Sequence, residues 1–156
     1  PTSPSTEERA LSQPIADFVQ AELSALADPV KAAPMAAYLK TDLPFYGVQN
    51  PARKPVFRAM VRQFRPSDRD DWERSVLALW ALPHREEKYA ALWYARSFKR
   101  MWVPESLPLA DRLIREGAWW DLVDDAIGGL VAPIVAHCLW NGTTLALAIQ
   151  GTVPVS

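Results

Sequence analysis

A tryptophan pair followed by three carboxylates, between residues 117 and 128, is the part of this sequence best suited to chemistry. On a helix, residues four apart share a face, so Trp120, Asp124 and Gly128 form a stripe about 100° from the apolar stripe that Trp119 begins. An indole beside a carboxylate and a glycine packs poorly but suits a flat, positively charged group. We therefore take Trp120 and Asp124 as candidate site residues. The alternatives are that Asp124 is a solvated helix carboxylate and that Trp120 packs in the core.

Charge is divided unevenly along the chain, although the formal net charge is only -1. Residues 31–65 carry seven basic side chains and one acidic side chain, whereas residues 101–130 carry two basic and six acidic ones. The seven basic residues are Lys31, Lys40, Arg53, Lys54, Arg58, Arg62 and Arg65. A basic segment of this kind is typical of proteins that bind a polyanion. Solvated helix faces give the same pattern, so both interpretations stay open.

Apolar residues recur at helical spacing through most of the chain, and no alternating strand pattern of useful length precedes residue 140. We expect a first helix near residues 7–27 that starts or kinks at Pro14. Further helices are predicted near residues 30–40, 86–100 and 107–115, and from Gly117 to about 139. Two more are predicted between the first and second of these ranges: one begins at Pro51 with Asn50 as its N-cap, and the next begins after Ser67 as its N-cap. The spacing therefore predicts an all-α fold.

Short, proline-marked turns between these helices predict antiparallel helix pairs. Each pair takes about 35–45 residues, which is the size of a HEAT-like repeat, although periodicity alone does not distinguish a stacked α-solenoid from a bundle. We divide the chain into a disordered lead at residues 1–6, a helical-repeat domain at 7–140 and an atypical tail at 141–156.

Several classes of protein are disfavoured by composition. Cys138 is the only cysteine, so no disulfide forms within the chain, which fits a reducing cytosol. No run reaches the roughly 18–20 apolar residues of a membrane span. His84 and His137 are far apart and lack the spacing of metal ligands. We expect a cytoplasmic protein without a metal site.

Two blocks of this sequence resemble the HEAT-like-repeat DNA alkylation repair glycosylases of the AlkD type. The first is KAAPMAAYLK at residues 31–40, continued by PFYGV at 44–48 and PARK at 51–54. The second is WWDLVD at residues 119–124. Between these blocks, LWALP at residues 79–83, followed by Arg85 and Glu86, matches the family's turn between two helices. The resemblance covers about residues 28–137.

The resemblance implies a stacked HEAT-like fold with a concave face and a monomeric enzyme that acts on double-stranded DNA. Its expected activity is release of positively charged N3- and N7-alkylated purines, without a metal or another cofactor and without full base flipping. The residue matching Asp124 is catalytic in the family, and the one matching Trp120 packs against the lesion. The residue matching Tyr38 lies at the same concave surface, although plain core packing is equally compatible with its sequence position.

The end of the chain departs from this family. Family members continue through further helical repeats, which supply an arginine and a second tryptophan to the site. Residues 141–156 look different and carry no charge. We therefore expect a C-terminally truncated or altered form, with weak or absent activity.

The residue types suit this chemistry. Glycosidic hydrolysis builds positive charge on the sugar, and a carboxylate such as Asp124 stabilises that charge or positions the attacking water. Indole and phenol rings, here Trp120 and Tyr38, attract cations with about 0.5–2 kcal/mol. The basic residues expected to hold DNA phosphates are Arg53, Lys54, Arg58 and Arg62, with Arg96, Lys99 and Arg100. The alternatives are a non-catalytic helical-repeat module that binds DNA or protein, and a scaffold without DNA affinity.

Overall fold

The computed structural model describes residues 6–117, and the side chains of residues 12–117. The helices are α1 (Thr6–Ala25), α2 (Pro29–Leu39), α3 (Asn50–Gln63), α4 (Arg69–Trp80), α5 (Arg85–Ser97) and α6 (Leu107–Gly117), with 3₁₀ turns at Lys99–Met101 and Pro104–Ser106. The described residues contain no β-strand, so the prediction of an all-α fold is confirmed. The chain divides into two compact units, Pro1–Met101 and Trp102–Ser156, which are described separately.

Four helices of the first unit, α1, α3, α4 and α5, pack against one another. Their apolar stripes are buried: α4 contributes Trp72, Val76 and Leu79, none of which has any solvent exposure. The other fully or almost fully buried side chains include Ile15, Val19, Leu23, Val56, Phe57, Met60, Ala91, Leu92 and Tyr94. Since burial of one large apolar side chain contributes about 1.5–3 kcal/mol, this core fixes the four helices firmly.

Helices α3 and α5 run parallel and contact each other, and α4 connects them in the sequence. The guanidinium of Arg53 lies over the ring of Tyr89, and further along both helices Phe57 contacts Trp93 at 5.8 Å between ring centroids. Because the second contact lies four residues after the first on both helices, α3 and α5 must run in the same direction. Alternate helices that run parallel are the arrangement of stacked helical hairpins.

Pro14 lies within α1, which runs without a break from Thr6 to Ala25. Of the two predicted possibilities, a helix start at Pro14 is therefore wrong, and a kink there stays a prediction. A proline inside a helix removes one hydrogen bond and costs about 3 kcal/mol. The buried side chains of Ile15, Val19 and Leu23, on the turns that follow, offset this cost.

The predicted caps of α3 and α4 are each displaced by one residue. Asn50 is already helical, and the N-cap is Gln49, whose side chain makes no capping hydrogen bond. Pro51 lies in the first turn as expected. Ser67 precedes the N-cap of α4, which is Asp68, and the Asp68 carboxylate accepts a hydrogen bond from the Asp71 amide at 2.8 Å. The negative charge of a carboxylate also interacts favourably with the positive end of the helix dipole, and the neutral serine lacks this interaction.

The turn from α4 to α5 is closed by a lysine. The Lys88 ammonium donates hydrogen bonds to the carbonyls of Trp80 and Leu82, the latter at 2.6 Å. The last carbonyls of a helix have no partner within it, and a cation there also suits the helix dipole. This contact ties the beginning of α5 to the end of α4.

The loop between α2 and α3 is held by a buried carboxylate of α5. Glu86 has no solvent exposure, and its two oxygens accept hydrogen bonds from the backbone amides of Tyr46, Gly47 and Val48 at 3.1, 2.9 and 3.0 Å. We call this arrangement the Glu86 clamp. It satisfies three backbone donors that no helix or strand satisfies, so the loop has one defined conformation.

The neighbouring Glu87 carboxylate is also buried and holds the same loop. It accepts hydrogen bonds from the Tyr46 hydroxyl at 2.8 Å and from the His84 amide at 2.6 Å, and the Tyr46 ring stacks on the imidazole of His84 with 3.8 Å between centroids. Burial, together with the Glu87 carboxylate, raises the pKa of Tyr46 from 10.0 to about 12. The neutral hydroxyl is therefore the form that the folded protein favours.

In the second unit, α6 buries Leu109, Ala110 and Leu113. On its exposed face Arg115 pairs with Asp111, and Arg112 pairs with Glu116. The predicted helix from Gly117 to about residue 139 lies outside the described residues, as do residues 1–5 of the predicted lead and the whole predicted tail.

Gly47 meets a conformational and a steric requirement at once. Its φ is +84°, and a Cβ there would lie 2.1 Å from the carbonyl oxygen of Asp28. We expect Gly47→Ala to lower the free energy of unfolding by at least about 2 kcal/mol, measured by urea denaturation. Gly47→Asn separates the causes, because asparagine tolerates this φ but keeps the Cβ. A Gly47→Ala protein as stable as the wild type would contradict this geometry.

Tyr46→Phe removes a donor from the buried Glu87 carboxylate. We expect it to lower the free energy of unfolding by about 1–3 kcal/mol at pH 7. Because the pKa of Tyr46 is raised on folding, the contribution of its hydroxyl is complete below pH 10 and disappears as the pH rises from 10 to about 12. The difference in free energy of unfolding between the wild type and Tyr46→Phe should therefore shrink as the pH rises toward 12, as measured by urea titrations at a series of pH values. Tyr38→Phe, which changes an exposed ring, is the control and should have little effect.

Candidate nucleic-acid interface

Tyr38 lies on the outer face of α2 and is one of the most exposed large side chains of the described residues. Its exposed fraction is 77%, and no residue of α2 is buried. Met35 and Leu39 of the same helix are half-buried. The alternative that Tyr38 packs in the core is therefore wrong, and its ring is available to a ligand.

Three of the four predicted phosphate-binding residues form one exposed stripe on α3. Lys54, Arg58 and Arg62 follow each other at four-residue intervals and are all exposed, on the side of α3 away from the buried Phe57 and Met60. Within residues 12–117, no carboxylate forms an ion pair with any of the three. We call Lys54, Arg58 and Arg62 the basic stripe. Its uncompensated charge favours binding of an anion.

Arg53, the fourth, lies elsewhere: its position among the basic residues predicted an outer face shared with Arg58, and the structure corrects that prediction. Arg53 precedes Phe57 by four residues and Met60 by seven, so it shares the inner face of α3. It is half-buried, and its guanidinium lies 4.1 Å from the centroid of the Tyr89 ring of α5. This cation–π contact joins α3 to α5, where the Arg85 side chain also approaches the Tyr89 hydroxyl at 3.5 Å.

A second basic group lies where α5 ends. Lys99 and Arg100 are exposed in the 3₁₀ turn, while Arg96 is half-buried with its guanidinium 5.9 Å from the centroid of the Trp93 ring. The Tyr94 hydroxyl donates a hydrogen bond to the carbonyl of Phe64 at 2.9 Å, which joins the ends of α3 and α5. The basic stripe therefore runs toward this second group.

Asp28 adds a fixed negative charge near the start of α2. Its carboxylate accepts from the Val30 and Lys31 amides and lies 2.7 Å from the Lys31 ammonium. The hydrogen bond from the Lys31 side chain is the main cause that lowers the pKa of Asp28. The charge of Lys31 is thus paired, in contrast to the basic stripe.

The roles of Glu86 and Glu87 were not predicted from the sequence, where Arg85 and Glu86 matched the family only as part of a turn. Acids in the first turn of a helix are nevertheless a familiar sign of amide or dipole contacts. That sign indicates a local cap, however. It does not indicate that Glu86 bonds to amides about forty residues earlier in the chain.

The predicted catalytic Asp124 and the predicted lesion-contacting Trp120 lie outside the described residues. Among the residues that the structure describes, no group of three or more His, Cys, Asp or Glu side chains is arranged to hold a metal ion. No helix found there is long and apolar enough to cross a membrane.

Comparison with known proteins identifies a family. The model of the family described as DNA alkylation repair enzyme matches residues 19–148, which include α2, the Glu86 clamp, the basic stripe and the WWDLVD block. None of the curated proteins matches. A match across most of the chain shows the family and, with it, a role in DNA repair. The chain belongs to the DNA alkylation repair enzyme family.

Proposed function

We propose that this chain is a DNA glycosylase that hydrolyses the N-glycosidic bond of cationic N3- and N7-alkylated purines in double-stranded DNA. The observation that carries the proposal is the family match over residues 19–148, because it spans Tyr38, Trp120 and Asp124. In this proposal the protein acts as a monomer in the cytoplasm and uses no cofactor.

The chemistry assigns one role to each of the predicted residues. An alkylated purine already carries positive charge, so it leaves without protonation by the protein. Asp124 stabilises the positive charge that develops on the sugar and orients the attacking water. Trp120 and Tyr38 place ring faces against the cationic base or sugar, which is worth about 0.5–2 kcal/mol for each ring. A second, acidic carboxylate that protonates the leaving base is then not required.

Binding to DNA is supported by the side chains of the described residues. The basic stripe presents three charges without carboxylate partners in that part of the chain, and phosphate contacts of this kind supply most of the affinity of a protein for duplex DNA. Tyr38 is exposed in the same compact unit. Arg53, with its guanidinium over Tyr89, supports the interface from behind rather than by reaching a phosphate.

A non-catalytic module that binds DNA is the second candidate. The basic stripe favours it, because an uncompensated row of cations explains DNA binding without requiring any reaction. The two candidates share the binding surface and differ only in the fate of the base.

Release of the damaged base distinguishes them. We expect the chain, in large excess over duplex DNA that contains N7-methylguanine, to release that base slowly, in keeping with the weak activity expected from the sequence, and Asp124→Asn to slow the single-turnover release further, by at least about 10²-fold. Chromatography of the free base measures the rate. Asp125→Asn, which changes the adjacent carboxylate, expected about 100° round the helix from Asp124, is the matched control and should keep most of the rate.

Release that is unchanged by Asp124→Asn would contradict the catalytic role of that residue. Preferential binding of the damaged duplex without any release would instead favour the non-catalytic module.

Salt dependence tests the basic stripe. We expect Arg58→Gln to weaken binding to any duplex and to reduce the slope of log affinity against log salt by about 0.9, the value for one phosphate contact. Arg69→Gln is the matched control, because Arg69 already pairs with Asp70 and Glu73. Fluorescence anisotropy between low and moderate salt measures both slopes. Equal slopes for the two variants would contradict the proposal that the basic stripe contacts DNA phosphates.

A further inference from the structure

Helix α2 carries the exposed Tyr38, yet it buries none of its own side chains. The helices α1, α3, α4 and α5 each bury several apolar residues, so core packing determines where they lie. On α2 even the apolar Met35 and Leu39 are only half-buried. The direction of α2, and with it the place of Tyr38, must therefore depend on other contacts.

Those contacts lie at the first turn of α2. The amide of Asp28, its N-cap residue, donates a hydrogen bond to the carbonyl of Tyr46 at 2.8 Å. Gly47 comes so close that a Cβ would lie 2.9 Å from the amide nitrogen of Ala32 and closer still to the carbonyl of Asp28. The backbone at residues 46 and 47 is thus the surface on which the first turn of α2 rests.

The Glu86 clamp fixes this surface to the core. Its carboxylate belongs to α5, whose Ala91, Leu92 and Ala95 have no exposure. Both of its oxygens are occupied by amides of the loop. A continuous path therefore leads from the core through the carboxylate of Glu86 and the loop amides to the start of α2.

We infer that Glu86 is a positioning residue for Tyr38: it determines the direction of α2 and thereby where the Tyr38 ring meets the damaged nucleotide. This inference rests on the proposed function, because it gives Tyr38 a contact with the lesion. Tyr38 lies nine residues beyond Pro29, about 13 Å along the helix axis, so a tilt of about 5° at the first turn moves it by roughly 1 Å. Displacements of that size are enough to weaken a contact that depends on placement.

Hydrogen exchange tests the structural half of the inference without DNA. Glu86→Ala should speed exchange at the amides of residues 46–48 and throughout α2. Glu86→Gln should do so less, because the amide oxygen still accepts hydrogen bonds while its NH₂ faces a backbone donor. The matched control is Val76→Ala, which opens space in the core at α4, far from the loop in sequence, and lowers global stability. It should leave the exchange of α2 unchanged under conditions where both proteins remain folded.

Lesion preference tests the functional half. The probe is a duplex with 2′-fluoro-7-methyl-2′-deoxyguanosine, in which the fluorine slows glycosidic cleavage, compared with the undamaged duplex. We expect Glu86→Ala to reduce the ratio of the two affinities by about tenfold, while Val76→Ala keeps it. Tyr38→Ala should reduce the ratio by itself, and Glu86→Ala should have no further effect in that background, because both changes remove the same contact.

Each outcome decides a separate claim. Unchanged exchange of α2 in Glu86→Ala would overturn the positioning role, and additive effects of the Glu86 and Tyr38 substitutions on the ratio would overturn its action through Tyr38. If the wild type does not prefer the damaged duplex, the proposed function fails and the link to the lesion fails with it. The exchange data still decide in that case whether Glu86 directs α2.

Discussion

The hydrogen bonds from three consecutive loop amides to the buried carboxylate of Glu86 are the constraint around which the first unit is arranged. A carboxylate removed from water loses several kcal/mol of solvation unless hydrogen bonds replace it. Here the amides of residues 46–48 replace it, and they gain partners that a loop otherwise lacks. The close approach of Gly47 to Asp28 follows, since it lets the loop reach both the carboxylate and α2.

The same constraint connects the core to the proposed DNA surface. Helices α3 and α5 run parallel and pack on the core, and α3 presents Lys54, Arg58 and Arg62 without carboxylate partners in the described residues. Helix α2 has no comparable anchor and depends on the loop for its position. The surface therefore combines a rigid part, the basic stripe, with Tyr38 on a helix whose first turn rests on the loop at residues 46 and 47. Such a division suits a protein that must hold a backbone firmly and place one ring accurately.

Much of the fold was predictable because helical periodicity is a local property. The apolar spacing of Trp72, Val76 and Leu79 predicted α4, and all three are fully buried. The exposure of Lys54, Arg58 and Arg62 followed from the same spacing. The caps at Gln49 and Asp68 differed from prediction by one residue, because several polar residues in a row compete for that position. Arg53 was misplaced because its charge was given more weight than its spacing.

The sequence by itself determined that this chain is all-α, which faces of its helices are apolar, and which motifs relate it to DNA alkylation repair enzymes. Those properties depend on neighbours within one or two helical turns. Only the tertiary structure decided that Tyr38 is exposed, that Arg53 lies over Tyr89 and that Glu86 holds the loop at residues 46–48. These contacts join residues about forty positions apart, and no local pattern specifies which distant amides a buried carboxylate will meet once the helices have packed.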